Sequence, residues 1–148
     1  MMMRHSMKTL SAIVLFLATT IWALAGPEGV YDVRGVEVDG TEYEGIATVV
    51  RTGETYRVSW TIDGYTYHGA GIGASPLANG SIMGPAGDED NVLTVGYVGG
   101  YNESGTAFYM EDENGIWRGI WTELGSHHVA TEDWHPKNVG KNPRILEY

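Results

Sequence analysis

The stretch TYRVSWTIDGYTYHGAGIG, from Thr55 to Gly73, contains the pattern that decides the fold. Its apolar and aromatic side chains alternate with polar ones, which is the period of a half-buried β-strand. Asp63 and Gly64 interrupt the alternation with a dipeptide that favours a two-residue hairpin turn. The stretch therefore predicts two antiparallel strands, Thr55 to Ile62 and Tyr65 to Ile72, joined by a tight turn.

Alternation broken by turn residues continues over most of the chain, and no stretch shows the 3.6-residue apolar period of a helix. We predict eight antiparallel strands in sequence. Besides the two above, they are Val30 to Val38, Thr41 to Arg51, Val92 to Val98, Thr106 to Met110, Ile116 to Glu123 and His127 to Trp134. Ala74 to Asn91 is rich in Gly, Pro and acids and predicts a long loop with a short extended piece at Ser81 to Met83. Eight such strands fit an up-and-down β-barrel, because closure leaves no free sheet edge.

A short repeat supports closure of the sheet. Tyr43-Glu-Gly45, Tyr67-His-Gly69 and Trp117-Arg-Gly119 each place an aromatic residue two positions before a glycine, so both lie on the same face of a strand. Glycine on a concave face allows sharp coiling, and a nearby ring can cover the exposed backbone. We predict that this face is the interior of the barrel. An eight-stranded lumen is either filled or able to hold a small ligand, and the sequence leaves both open. The candidate lumen residues are Tyr43, Trp60, Tyr67, Trp117 and Trp121.

The N-terminus has the features of a signal peptide. Arg4 and Lys8 precede an apolar run, Leu10 to Leu24, and the small-x-small pattern of Ala23 to Ala25 suits a signal peptidase. We predict a signal peptide at residues 1–25, a barrel domain at 26–135 and a C-terminal tail at 136–148. Export would place the protein in the periplasm or outside the cell, with no membrane span after cleavage.

Composition excludes several classes of function. The 148 residues contain 9 Lys and Arg against 19 Asp and Glu, for a net charge of −10, which argues against a nucleic-acid partner. The chain has no cysteine and therefore no disulfide or thiolate site. No nucleophile elbow or phosphate loop is present, so we predict neither catalysis nor a cofactor. We interpret the cluster His127, His128, Glu132, Asp133 and His135 as a solvated strand end rather than a metal site, because alternate residues point to opposite faces.

Five motifs resemble a family of small exported proteobacterial proteins that are often described as fibronectin-binding proteins. In this chain they are GTEYEG (40–45), TYRVSWTIDG (55–64), YHGAGIG (67–73), GTAFY (105–109) and GIWRGIWT (115–122). In size and strand count the chain also resembles, more loosely, the avidin, streptavidin and lipocalin-like barrels. The avidin likeness implies tryptophans along the lumen wall and an acid on the last strand, for which Asp133 is the candidate.

Three functions are compatible with these features. The first, which the family resemblance favours, is a binding protein whose barrel rim engages a protein partner such as the extracellular-matrix protein fibronectin. The second is a carrier of a small hydrophobic ligand in the lumen. The third is a periplasmic inhibitor of a basic hydrolase, with the segment Ala74 to Asn91 as its projecting loop. The sequence does not determine the oligomeric state.

Overall fold

Nine β-strands follow one another along residues 26–77 and 79–137, the part of the chain that the computed structural model describes. A three-residue 3₁₀ turn, Gly100–Asn102, lies between the sixth and seventh strands. Within this part of the chain, no helix has the length and apolar character needed to cross a membrane. The predicted signal peptide and most of the predicted tail lie outside the described residues. In chain order the strands are β1 (Gly29–Val36), β2 (Glu42–Thr52), β3 (Thr55–Ile62), β4 (Tyr65–Leu77), β5 (Gly80–Met83), β6 (Val92–Val98), β7 (Ser104–Glu111), β8 (Trp117–Glu123) and β9 (Ala130–Pro136).

Eight of these strands form a closed barrel in the order β1, β2, β3, β4, β6, β7, β8, β9, with every neighbouring pair antiparallel. The circle closes where β1 pairs with β9, with Val33 opposite Trp134. At the β3–β4 turn, Asp63 and Gly64 both have positive φ, 51° and 84°. Positive φ at both positions is what a tight hairpin turn of type I′ requires. The structure thus confirms the predicted eight-stranded antiparallel barrel.

Two of the eight predicted barrel strands differ from the prediction by more than two residues at one end. β4 does not stop at Ile72 but continues to Leu77, where it pairs with β5 in a hairpin that extends the sheet beyond the barrel wall. The predicted loop from Ala74 to Asn91 therefore begins as a hairpin, because β5 supplies the backbone partners that the end of β4 would otherwise lack. The last strand begins at Ala130 rather than His127.

Alternate residues of the barrel strands face the lumen. In β3, Tyr56, Val58 and Trp60 are buried, whereas Arg57 and Thr61 are exposed. The same alternation places Tyr43 of β2 and Trp117 of β8 inside. This burial pattern confirms the predicted interior face of these strands.

Aromatic rings from neighbouring strands cover three of the interior glycines. A Cβ atom added at any of these glycines would overlap the ring that lies over it, so only glycine leaves enough room. The covering ring belongs to the residue on the adjacent strand, rather than to the aromatic residue two positions earlier in the same strand. Three such pairs are Gly35 with Tyr43, Gly105 with Tyr97, and Gly119 with Tyr109.

The two ends of the barrel are built differently. The β1–β2, β3–β4, β6–β7 and β8–β9 connections lie at one end, which we call the open end. The other connections and the β4–β5 hairpin lie at the opposite, closed end. Large side chains without significant solvent exposure, among them Trp117, Trp134, Tyr56 and Leu93, fill the half of the lumen towards the closed end.

Residues 84–91 cover the closed end, and the carboxylate of Asp90 secures them. Asp90 is 4% exposed and accepts hydrogen bonds from the Tyr56 hydroxyl at 2.6 Å and the Ser75 hydroxyl at 2.7 Å. Burial alone would raise the pKa of Asp90, but these bonds and one from the Gly87 N–H together lower it below its usual range. Arg51 donates to the Ala86 carbonyl oxygen. The closed end is thus sealed by a polar cap over an aromatic core.

The glycine positions supply a test of this packing. We expect Gly119→Ala to destabilise the protein by about 1–3 kcal/mol, because the new methyl group must displace the Tyr109 ring. Gly96→Ala is the matched control, since Gly96 is exposed on the outer wall and a Cβ there meets no atom within 4 Å. Urea unfolding of both variants measures the difference. Equal stability of the two variants would contradict the assigned interior face.

Candidate functional site

The carboxylate of Glu132 lies inside the barrel at the level where the filled half of the lumen ends. Its side chain comes from β9 and is 4% exposed. Four side chains donate hydrogen bonds to it. Oε1 accepts from the Trp60 indole N–H at 3.0 Å, the Tyr109 hydroxyl at 2.8 Å and the Trp134 indole N–H, and Oε2 accepts from the Tyr43 hydroxyl at 2.7 Å. A buried acid of this kind is stable only with such partners.

Glycines on both neighbouring strands make this arrangement possible. Glu132 lies opposite Gly35 of β1 and Gly119 of β8. Because neither glycine has a side chain, the rings of Tyr43 and Tyr109 lie over them and their hydroxyls reach the carboxylate. The glycines that allow the barrel to curve therefore also create the room that the buried acid needs.

A cavity of about 80 Å³ lies above Glu132 and opens at the open end of the barrel. We call this cavity the cup. Glu132 lies at its floor, and Glu37 and Glu123 lie at its mouth, directly after β1 and at the end of β8. Its walls are mainly aromatic and include Tyr43, Trp60, Tyr67, Tyr97 and Trp121.

The aromatic wall is held together by edge-to-face contacts. The ring centroids of Tyr97 and Trp121 are 6.5 Å apart at an interplanar angle of 78°, and those of Trp60 and Tyr97 are 6.1 Å apart at 65°. Such geometry is the favourable one for aromatic pairs. The indole N–H of Trp121 also donates to the Tyr43 hydroxyl at 2.7 Å. The wall is therefore connected by hydrogen bonds to the Glu132 carboxylate below it.

Carboxylates dominate the electrostatics of the mouth. Partial burial, followed by the nearby charges of Glu123 and Asp39, raises the pKa of Glu37 above its usual range. Burial and the Glu103 carboxylate raise the pKa of Tyr67 to about 12. Burial and the charge of Glu132 likewise raise the pKa of Tyr43 well above its ordinary value. The mouth of the cup is thus a region of negative potential.

The loops around the cup expose several large apolar side chains. Tyr101 is 87% exposed in the β6–β7 loop and Leu124 is 85% exposed in the β8–β9 loop. Tyr101 also has a positive φ of 58°, a conformation that is uncommon for a bulky residue. With them we group Val38 and Val129, which also lie on connections at this end, and Tyr65, the first residue of β4. We call these five residues the rim.

Four of the five candidate lumen residues line the cup: Tyr43, Trp60, Tyr67 and Trp121. Trp117 is also interior but is 1% exposed in the filled half and does not line the cup. Tyr97 also lines the cup and was not among the predicted residues, although Tyr97-Val-Gly99 repeats the aromatic-x-glycine pattern of Tyr43-Glu-Gly45 and Tyr67-His-Gly69.

The interpretation of residues 127–135 as a solvated strand end is wrong for Glu132, which is buried, although His127 and His128 are exposed. Trp134, two positions later on β9, is the signal that marks Glu132 as interior. Asp133, the acid suggested by the avidin likeness, faces outward and pairs with Arg118 at 2.6 Å. No three His, Asp or Glu side chains among the described residues are placed to bind a metal ion together.

No protein-family model matches this chain, and no curated protein matches it at a significant level.

The hydrogen bonds to Glu132 predict a graded loss of stability on substitution. Glu132→Leu leaves four buried donors without an acceptor, and each unsatisfied group costs about 1–3 kcal/mol. Glu132→Gln retains one acceptor oxygen, so we expect a smaller loss. Urea denaturation of both variants measures the order. A Leu variant as stable as the Gln variant would contradict the assigned role of the carboxylate.

Proposed function

We propose that this protein is an exported, non-catalytic binding protein that engages a protein partner through the rim of its open end. The single observation that carries the proposal is the exposure of five large apolar side chains around the cup, four of them on connections and the fifth, Tyr65, at the first residue of β4. Exposed apolar side chains gathered on one surface are typical of protein interaction sites. Tyrosine is among the residues that contribute most to binding energy at such sites, and Tyr101 is the most exposed member of the rim.

The state of the interior acid supports binding rather than catalysis. Both oxygens of Glu132 accept hydrogen bonds from fixed side chains, which commits the carboxylate to holding the barrel together. A general acid or base must instead exchange a proton with a substrate within hydrogen-bond reach.

The carrier function has less support, because the cup is small. Its volume of about 80 Å³ is well below the roughly 300–1,000 Å³ of typical small-molecule pockets. Trp117 and Trp134 occupy the remaining lumen. A hydrophobic ligand would also meet the polar Glu132 site at the floor of the cup.

The inhibitor function remains compatible with protein recognition, but its proposed loop must be redefined. Residues 84–91 cover the closed end, with Ala86 only 3% exposed, and Asp90 bonds them to the Tyr56 hydroxyl. In the described part of this end, the β4–β5 hairpin extends the sheet beyond the barrel, and there Met83 is 81% exposed. An inhibitor that used this end would act through the hairpin, whereas our proposal uses the opposite end.

Substitutions at the two ends distinguish these surfaces. Fibronectin, the partner that the family resemblance implies, is immobilised and the dissociation constant of the protein is measured with an optical biosensor. We expect the double variant Tyr101→Ser, Leu124→Ser to bind about tenfold more weakly or worse, because it removes the two most exposed apolar side chains of the rim.

The matched control is Met83→Ser, which removes a similarly exposed apolar side chain at the closed end. It should leave the dissociation constant unchanged. If the Met83→Ser variant loses binding and the rim variant keeps it, the β4–β5 hairpin rather than the rim binds the partner. Absence of fibronectin binding by the unaltered protein would exclude fibronectin as the partner.

A further inference from the structure

The cup combines negative charge and aromatic surface in one cavity. Three of its lining residues, Glu37, Glu123 and Glu132, are acidic, and no lysine, arginine or histidine of the described part of the chain lines it. The described part of the chain has five lysines and arginines, and none belongs to the connections at the open end. They are Arg34, Arg51, Arg57, Arg118 and Lys137.

Much of the positive charge is already neutralised elsewhere. Arg51 pairs with Asp88 at 3.0 Å beside the closed end, and Lys137 pairs with Asp32 at 3.1 Å. Arg118 pairs with Asp133 on the outer wall. Among residues 26–77 and 79–137, the carboxylates at the mouth of the cup therefore have no comparable counter-ion, and a cation supplied from outside this part of the chain would meet an uncompensated field there.

The aromatic wall adds a second, independent attraction for a cation. The faces of Trp and Tyr rings carry partial negative charge, and a cation within about 6 Å of a ring centroid is attracted to it, most strongly where water is excluded. Trp60, Tyr97 and Trp121 all line the cup, and Tyr97 meets each of the two tryptophan rings edge to face. Sites built from several rings around one cavity are the arrangement that recognises organic cations.

The size of the cup limits what enters it. A volume of about 80 Å³ accommodates a head group rather than a drug-sized molecule. The remainder of the ligand must pass out through the mouth, between Glu37 and Glu123. A positively charged group on an aliphatic stem fits these requirements.

We propose that the cup binds the positively charged head group of a basic side chain, lysine or arginine, which the protein partner inserts as the rim docks. This inference rests on the proposed function, because the rim supplies the surface around the inserted side chain. A free organic cation has the same chemistry, so the experiment below includes one to distinguish the two sources.

Pairs of probes that differ in charge test the proposal on the purified protein. N-acetyl-lysine methylamide, N-acetyl-arginine methylamide and choline are compared with their neutral analogues, N-acetyl-norleucine methylamide, N-acetyl-citrulline methylamide and 3,3-dimethylbutan-1-ol. Trp60 and Trp121 line the cup. Binding is followed by the NMR chemical shifts of their indole N–H groups. We expect the lysine or arginine probe to bind about tenfold more tightly than its neutral analogue, with the difference reduced by added salt.

The double variant Glu37→Gln, Glu123→Gln removes two charges from the mouth without touching the buried network. It should weaken binding of the cationic probes severalfold and leave the neutral ones unaffected. The double variant Glu42→Gln, Glu44→Gln makes the same charge change at two exposed positions on the outer wall of β2 and should have no such effect. Equal effects of the two double variants would show that overall charge, rather than the cup, attracts the probes and would overturn the proposal.

The remaining outcomes separate this inference from the proposed function. If choline binds and both amino-acid probes do not, the cup is a site for free organic cations and the inserted side chain is excluded. If none of the cations shifts the indole signals while the rim variant still loses its partner, the proposed function stands and this inference fails. If the amino-acid cations bind but the rim variant retains its partner, the cup binds basic head groups, whereas the rim is excluded and with it the insertion of the side chain as the rim docks.

Discussion

The buried carboxylate of Glu132 is the interaction on which the interior of the barrel depends. It accepts hydrogen bonds from side chains on four strands, namely Tyr43 of β2, Trp60 of β3, Tyr109 of β7 and Trp134 of its own strand β9. A charge removed from water is costly unless it is fully solvated by the protein. Because all four aromatic side chains bond to one carboxylate, the position of each constrains the positions of the others. The carboxylate lies where the filled half of the lumen ends and the cup begins.

The same arrangement explains why two interior positions, one on each strand beside β9, are glycines. Gly35 and Gly119 flank Glu132 on the neighbouring strands, and each is covered by a tyrosine that donates to the carboxylate. A side chain at either glycine would displace a ring and leave the acid without one of its partners. Curvature of the sheet, packing of the rings and solvation of the charge thus depend on the same two backbone positions.

The fold could be predicted from the sequence because its signals are local. The alternation in Thr55 to Ile62 and the Asp63-Gly64 turn determine which side chains face inward and where the chain reverses. The candidate site was predicted only in part, because aromatic residues at interior positions are evident from the pattern but their depth in the barrel is not. Trp117 and Trp121 share a face of β8, yet only Trp121 reaches the cup.

The residue that organises the site could not be identified from its type alone. Glu132 lies in a polar stretch that begins with the exposed His127 and continues to Asp133, and such a stretch is typical of a solvated segment. Only its position two residues before Trp134 indicates that its side chain faces the interior of the barrel. Its partners come from positions 43, 60 and 109, which become neighbours only when the sheet closes. The extended piece predicted at Ser81 to Met83 is β5, but its pairing with the end of β4 was not predicted, since Gly- and Pro-rich segments are typical of loops.

Hydrogen exchange of the indole N–H groups, measured by NMR on protein labelled with ¹⁵N-tryptophan, tests the role of Glu132 most directly. Trp60 and Trp134 donate to the buried carboxylate, whereas Trp121 donates to the Tyr43 hydroxyl in the half-buried wall of the cup. We expect the Trp60 and Trp134 protons to exchange only through global unfolding and the Trp121 proton to exchange faster through local opening. Exchange of Trp60 and Trp134 as rapid as that of Trp121 would contradict the account.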